Sequence, residues 1–295
     1  MIWTLTALVV LLAATSQGNA WDELWVELER LRTGELRAPE EQLIRGRLAQ
    51  AAEAHTRDPR SELLRAGLEA LAGRDVSAVA LRLAELSPDP FTPREHWFLA
   101  DSLPGGPERA RVLLSALRAT PALARWQLLL AWSVAVDEAR ALRLEEHARP
   151  IQTLLHERYQ ADWSAMDLAM TCRLLGDRAC VDQVLIEAIA REAAAGRPTR
   201  ELWSQLGIAT WGFGDTRLAR DYLGKALALG SDDAALVLSR IDLLEGRVEV
   251  ARRGFRASIL SVPPPDWAWR GWGMTLLPEA HAHPATRSAS TLLQP

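Results

Sequence analysis

The chain has 295 residues, of which 48% are apolar, 24% charged and 6% aromatic, with 34 basic against 38 acidic side chains and a net charge of −4. That length exceeds one small core and suits two domains or one elongated array, and the composition excludes a disordered chain. The slight acidic excess argues against a nucleic-acid partner, and the 2 cysteines can neither staple a small disulfide scaffold nor form a four-thiolate metal site.

In chain order, the first signal is the uncharged run of residues 2–14, IWTLTALVVLLAA. As a helix it reaches only about 20 Å, short of the about 30 Å of a bilayer core. A polar stretch follows, with Gly18 and Ala20 at the −3 and −1 places of a cleavage site. The expectation is an export signal cleaved after Ala20, leading to the periplasm or beyond. An uncleaved anchor and a buried first helix stay open as alternatives, because no Lys or Arg precedes the apolar run. No other stretch approaches eighteen apolar residues, so the mature form is not expected to span a membrane.

From Trp21 onward the apolar spacing is helical. Trp21, Leu24, Trp25, Leu28 and Leu31 form one stripe on an acidic helix. Gly34 ends it, Pro39 opens the next helix in its first turn, and residues 21–59 read as an N-terminal helical cap. Ala and Leu dominate and no segment alternates with period two, so the remainder also reads as helices of about a dozen residues. Short punctuation separates them: Asp58-Pro59, Gly73, Pro104 to Pro107, Pro121, Pro150, Gly176-Asp177, Gly196, Gly214-Asp215, Gly230, Gly246 and Pro263 to Pro265.

Residues 200–231 carry Trp203, Leu206, Gly207, Gly214, Asp215, Ala219, Tyr222, Ala226 and Leu227. A second unit places Gly246, Ala251, Phe255 and Pro263 in corresponding positions. Degenerate copies extend upstream through Trp163, Gly176-Asp177, Trp97, Ala110 and Gly73. The pattern resembles the tetratricopeptide repeat over residues 60–263. The resemblance implies an all-α fold, a superhelical α-solenoid of antiparallel helical hairpins. Its physics is steric: Gly207, Ala219 and Ala226 let paired helices approach, and the large residues fill gaps between hairpins that cannot bury their faces alone. The basic set contains a single lysine, Lys225, a compositional habit of GC-rich bacterial genomes.

Cys172 and Cys180 would lie about 12 Å apart in one continuous helix but face each other across a hairpin turning at Gly176. A structural disulfide and two buried thiols both fit that placement. The six histidines show no zinc-ligand spacing, and no nucleophile elbow, Walker loop or dinucleotide-binding glycine motif occurs. No cofactor, metal or catalytic residue is therefore expected.

The resemblance leaves the concave wall, lined by the first helix of each hairpin, as the candidate partner site. Its phase puts Met166, Asp167, Met170 and Arg173 on that wall, then Ser204, Gln205, Ile208, Trp211 and Gly212, then Leu236, Val237, Arg240 and Leu243. Of these, Met166, Met170, Arg173, Gln205, Ile208, Trp211 and Arg240 are the expected partner-binding residues. The lysine and asparagine clamp by which some tetratricopeptide domains hold a terminal carboxylate is missing. An apolar wall with isolated arginines suits an amphipathic helix or an extended peptide, while packing of Met166, Met170 and Trp211 between hairpins is the alternative. Trp267, Trp269 and Trp272 read as a capping helix over 264–277 or as an exposed aromatic patch, and 278–295 as a disordered tail. The functional expectation is a non-catalytic scaffold that binds a protein or peptide in the cell envelope. An accessory factor of a cell-wall or envelope-biogenesis enzyme and a structural subunit of an envelope assembly are the alternatives.

Overall fold

The computed structural model describes residues 20–34, 36–86 and 89–259. The expected export segment, Pro263 to Pro265, the Trp267–Trp272 cluster and the tail lie outside the described residues. Among those described, every regular element is a helix and no strand is present. The chain divides into two compact units near Leu154.

The first unit holds α1 (residues 20–33), α2 (Ala38–Ala54), α3 (Pro59–Leu71), α4 (Ser77–Ala84), α5 (Pro93–Ser102) and α6 (Pro107–Ala119). There follow α7 (Arg125–Ser133), a π-helical turn (Val134–Glu138) and α8 (Ala139–Leu142). Prolines 39, 59, 93 and 107 each sit in a first turn, where the missing N–H has no helical partner to lose. Helices α3 and α4 pair, α5 and α6 pair, and α3 lies beside α5. The apolar filling includes Leu63, Leu64, Leu83, Trp97, Leu113 and Leu117, all fully buried. At the start of α5, Thr92 Oγ1 accepts from Glu95 N, and Glu95 Oε2 accepts from Thr92 N (2.6 Å), a reciprocal cap that fixes the entry of the chain.

Two helix ends turn left-handed without a glycine. Arg143 adopts the left-handed conformation (φ 56°) and closes α8, and Gln160 (φ 46°) closes α9 (Glu145–Tyr159). Conversely Pro150, which the sequence suggests as a separator, lies inside α9. Its ring removes one N–H from that helix without ending it.

The second unit stacks three hairpins: α10 (Asp162–Leu174) with α11 (Arg178–Ala194), α12 (Arg200–Gly212) with α13 (Thr216–Ala228), and α14 (Asp232–Leu244) with α15 (Val248–Ile259). Their inner turns repeat one solution. Gly176 and Gly214 take φ of +74° and +86°, a region costly for any residue with a Cβ. That geometry lets Asp177 N reach Cys172 O (2.8 Å) and Asp215 N reach Thr210 O (3.2 Å), closing the preceding helix. The same two aspartates then cap the next helix, accepting from Cys180 N and Leu218 N. Gly207 faces Leu223 so closely that an added methyl would lie 2.6 Å from its Cγ, the tight approach its spacing predicts. Cys172 and Cys180 flank the first of these turns, with Cα atoms 6.0 Å apart and their sulfurs bonded.

Candidate functional site

Helix α10 lies beside α12, and α12 beside α14, so the first helices of three successive hairpins form one continuous wall. Along an α-helix each residue turns by about 100°, so residues three and four apart share a face. Met166, Met170 and Arg173 accordingly share one face of α10. Met166 packs on the α10–α12 core, and Met170 Sδ accepts from Arg173 Nη2 at 3.0 Å. Arg173 crosses toward α12, where Gly212 offers no side chain to block it: the Gly212 Cβ position lies 3.6 Å from Arg173 Nη1.

On α12, Gln205 and Ile208 are half-buried, and Ile208 rests on the α12–α14 core. Trp211 is only 7% exposed and belongs to that core with Leu223, Val237 and Ile241. At that burial its main role is packing between hairpins. Arg240 on α14 lies over it, the guanidinium carbon 5.8 Å from the ring centroid. Burial alone pulls the Arg240 pKa below the ordinary arginine value. Among the described residues this half-buried Arg240 has no carboxylate partner. Two residues on, Asp242 takes both Arg220 (2.7 Å) and Arg247 (2.8 Å).

Two expected wall residues point elsewhere. Ser204 is buried within its hairpin, and Leu236 packs on Ala251 and Phe255 of α15. Each is one step around the helix from a wall neighbour, Gln205 and Val237 respectively, and the repeat pattern fixes phase only to about one residue. The structure thus brings together Met170, Arg173, Ile208, Trp211 and Arg240. Met166 instead packs on the α10–α12 core, and Gln205 is half-buried on α12.

The sequence reading misses a polar and aromatic cluster in the first unit. Glu95 is fully buried and accepts from Trp25 Nε1 at 2.7 Å, with Arg60 at 3.4 Å. Trp25 stacks on Phe98 (5.2 Å, 29°), and Phe98 meets Trp126 at 5.5 Å. The cap signature Thr92-Pro-Arg-Glu95 is visible in the sequence, but nothing local reveals that Trp25 completes it. Among the described residues no group of three His, Cys, Asp or Glu side chains is placed to hold a metal ion, and no helix is long and apolar enough to cross a membrane.

No family model matches the chain, and no curated protein matches it significantly. Among solved structures it is similar to a chain of the "Crystal structure of APC/C hetero-tetramer Cut9-Hcn1", at 14% identity and a TM-score of 0.41, covering 87% of this chain. It spans about half, 52%, of that chain.

Proposed function

We propose that the protein is a non-catalytic scaffold of the cell envelope, and that the α10–α12–α14 wall binds a peptide or helix that is largely apolar and bears a carboxylate. The observation that carries this reading is Arg240. Its guanidinium is partly desolvated over Trp211 and, among the described residues, lacks the acidic partner that nearby arginines have. A half-buried cation without a counter-charge is a cost in the free protein that an incoming carboxylate relieves. Met170 and Ile208 supply apolar area on either side, and the thioether can adapt to different partner shapes. The envelope location rests on the uncharged run at residues 2–14 and on Gly18 and Ala20 behind it.

Fluorescence anisotropy with three labelled amphipathic peptides of equal hydrophobicity, acidic, neutral and basic, tests the site. The acidic peptide is expected to bind tightest, and Arg240→Ala should weaken it by about tenfold, the worth of one charge-assisted hydrogen bond. Equal binding of the basic peptide, or indifference to Arg240→Ala, would refute the reading. Location is checked separately by fractionation: the mature chain should appear outside the cytoplasm, with its new N-terminus at Trp21.

A further inference from the structure

Arg240 leaves the second unit with a half-buried positive charge that no acid among the described residues meets. The chain that follows α15 carries the chemistry to meet it. Residues 264–279 read PPDWAWRGWGMTLLPE. Three tryptophans, a methionine and two leucines make the segment apolar, Asp266 and Glu279 frame it, and Arg270 is its one cation. A mostly apolar segment bearing a carboxylate is the ligand that suits the α10–α12–α14 wall. The segment lies outside the described residues, so the first question is one of reach.

Helices α14 and α15 form a hairpin that turns at Gly246, so the end of α15 lies beside the start of α14. Along α14, Arg240 stands eight residues beyond Asp232, about 12 Å at the helical rise. The two helix axes are about 8–10 Å apart, which puts Arg240 about 15 Å from the end of α15. Asp266 comes seven residues after Ile259, and seven residues span up to about 23 Å. Pro263, Pro264 and Pro265 lie on that path and favour the extended chain that the reach requires.

The remainder of the segment matches the width of the wall. From Asp266 to Trp272 an extended chain covers about 20 Å. Two helix spacings, from α14 past α12 to α10, come to about 16–20 Å. A segment anchored at Arg240 by Asp266 therefore carries its tryptophans past Ile208 as far as Met170. Both of those side chains are half-buried, and a thioether packs well against an aromatic ring. The short linker after Ile259 holds the segment at an effective concentration on the order of millimolar, so a contact of sub-millimolar affinity is mostly made.

We propose that residues 264–279 are the resident ligand of the wall in the free protein, with the Asp266 carboxylate paired to the Arg240 guanidinium, and that an external partner binds by displacing them. The inference rests on the wall being the partner site and adds its regulation: the chain inhibits its own docking surface. The pairing relieves the cost of a half-buried cation without a counter-charge. It also sets a threshold for the partner. A ligand that must first displace a tethered competitor binds more weakly by the ratio of occupied to open wall. Only a partner with a stronger apolar and acidic match than the segment itself then takes its place.

The probe is a fluorescein-labelled acidic amphipathic peptide, titrated into the full-length protein. Asp266→Arg releases the resident segment and leaves every wall residue in place, so peptide affinity should rise at least tenfold over the wild type. Adding Arg240→Glu to that variant should remove the gain. A second readout needs no peptide. In the purified protein, a benzophenone side chain at position 170 should crosslink within one chain to tryptic fragment 257–270 or 271–287. Asp266→Arg and Arg240→Glu should each abolish that link, and the two together, which restore opposite charges, should bring it back. Equal peptide affinity in wild type and Asp266→Arg, with binding still lost on Arg240→Glu, would keep the wall as the partner site and overturn this inference alone. Peptide binding indifferent to Arg240→Glu would overturn the wall reading and this inference with it. A link that survives Asp266→Arg would refute the pairing with Arg240. A link between two chains would assign the segment to a second copy and overturn the proposal.

Discussion

Gly207 and Gly224 lie inside the two helices of one hairpin, α12 and α13, yet replacing each by alanine should act in opposite directions. In a helix interior the exchange favours the folded state by about 0.5–1 kcal/mol, because glycine gives up more backbone freedom on folding. At Gly224 nothing lies within 4 Å of the added methyl, so the full gain should appear. At Gly207 the methyl would lie 2.6 Å from Leu223 Cγ and 3.1 Å from Leu223 N. Rotating Leu223 about its Cα–Cβ bond can move Cγ, at the cost of its packing in the core, but not its backbone N, so the two helices must also shift apart. Overpacking of this kind costs about 1–3 kcal/mol, which exceeds the backbone gain and leaves a net loss of about 1–2 kcal/mol. Thermal melts followed by far-ultraviolet dichroism, with the disulfide intact, should show Gly224→Ala raised by about 2–4 °C and Gly207→Ala lowered by about 4–8 °C. A Gly207→Ala protein as stable as Gly224→Ala would refute the close approach of α12 and α13 and the hairpin packing built on it.

Other perturbations probe separate links. Replacing both Cys172 and Cys180 by alanine should lower the stability of the second unit by about 2–3 kcal/mol, the chain-entropy worth of so short a loop, read as a fall in urea midpoint. Arg143→Gly should raise stability by about 1 kcal/mol, since Arg143 holds a left-handed conformation that only glycine adopts freely; an unchanged midpoint would count against that helix end. Glu95→Ala strands the Trp25 indole N–H and the Thr92 amide, and should cost about 3 kcal/mol, measured by the same melts. Burial, with Arg191 nearby, holds the His156 pKa below its ordinary 6.5, against the opposing pull of Glu187 and Glu157. The unfolded chain then binds that proton more readily than the folded one, so stability is full above pH 6.5 and falls on acidification. His156→Gln should flatten the urea midpoint between neutral pH and pH 5, and an unchanged slope would exclude His156 as the source.

The second unit was legible in the sequence because its information is local. Gly176-Asp177 and Gly214-Asp215 each encode a chain reversal and the next helix cap within two residues, and Gly207 announces its own close contact. The helix ends at Arg143 and Gln160 were not legible: tertiary packing imposes a left-handed residue where no glycine marks it, while Pro150 suggests a break that the helix absorbs. Of the candidate wall, the phase of the repeat that the sequence resembles puts Met170, Arg173, Ile208 and Arg240 on the first helices of the three hairpins, where the structure has α10, α12 and α14. It left Trp211 either on the wall or packed between hairpins, and the structure buries it in the α12–α14 core, because periodicity cannot tell a groove-lining ring from one wedged between hairpins. The stripe of Trp25, Leu28 and Leu31 was equally plain, but its destination was not. Trp25 finds Glu95 seventy residues away, and no local pattern carries such a pairing.

The central claim is that the α10–α12–α14 wall, with Arg240 at its centre, is where another protein docks. Site-specific photo-crosslinking in intact cells tests it most directly, with a benzophenone side chain placed either at Ile208 on the wall or at the exposed Leu227 on α13. The account predicts a discrete adduct from Ile208 that disappears when Arg240 is changed to glutamate, and none from Leu227. Adducts from Leu227, or an Ile208 adduct that survives Arg240→Glu, would contradict it.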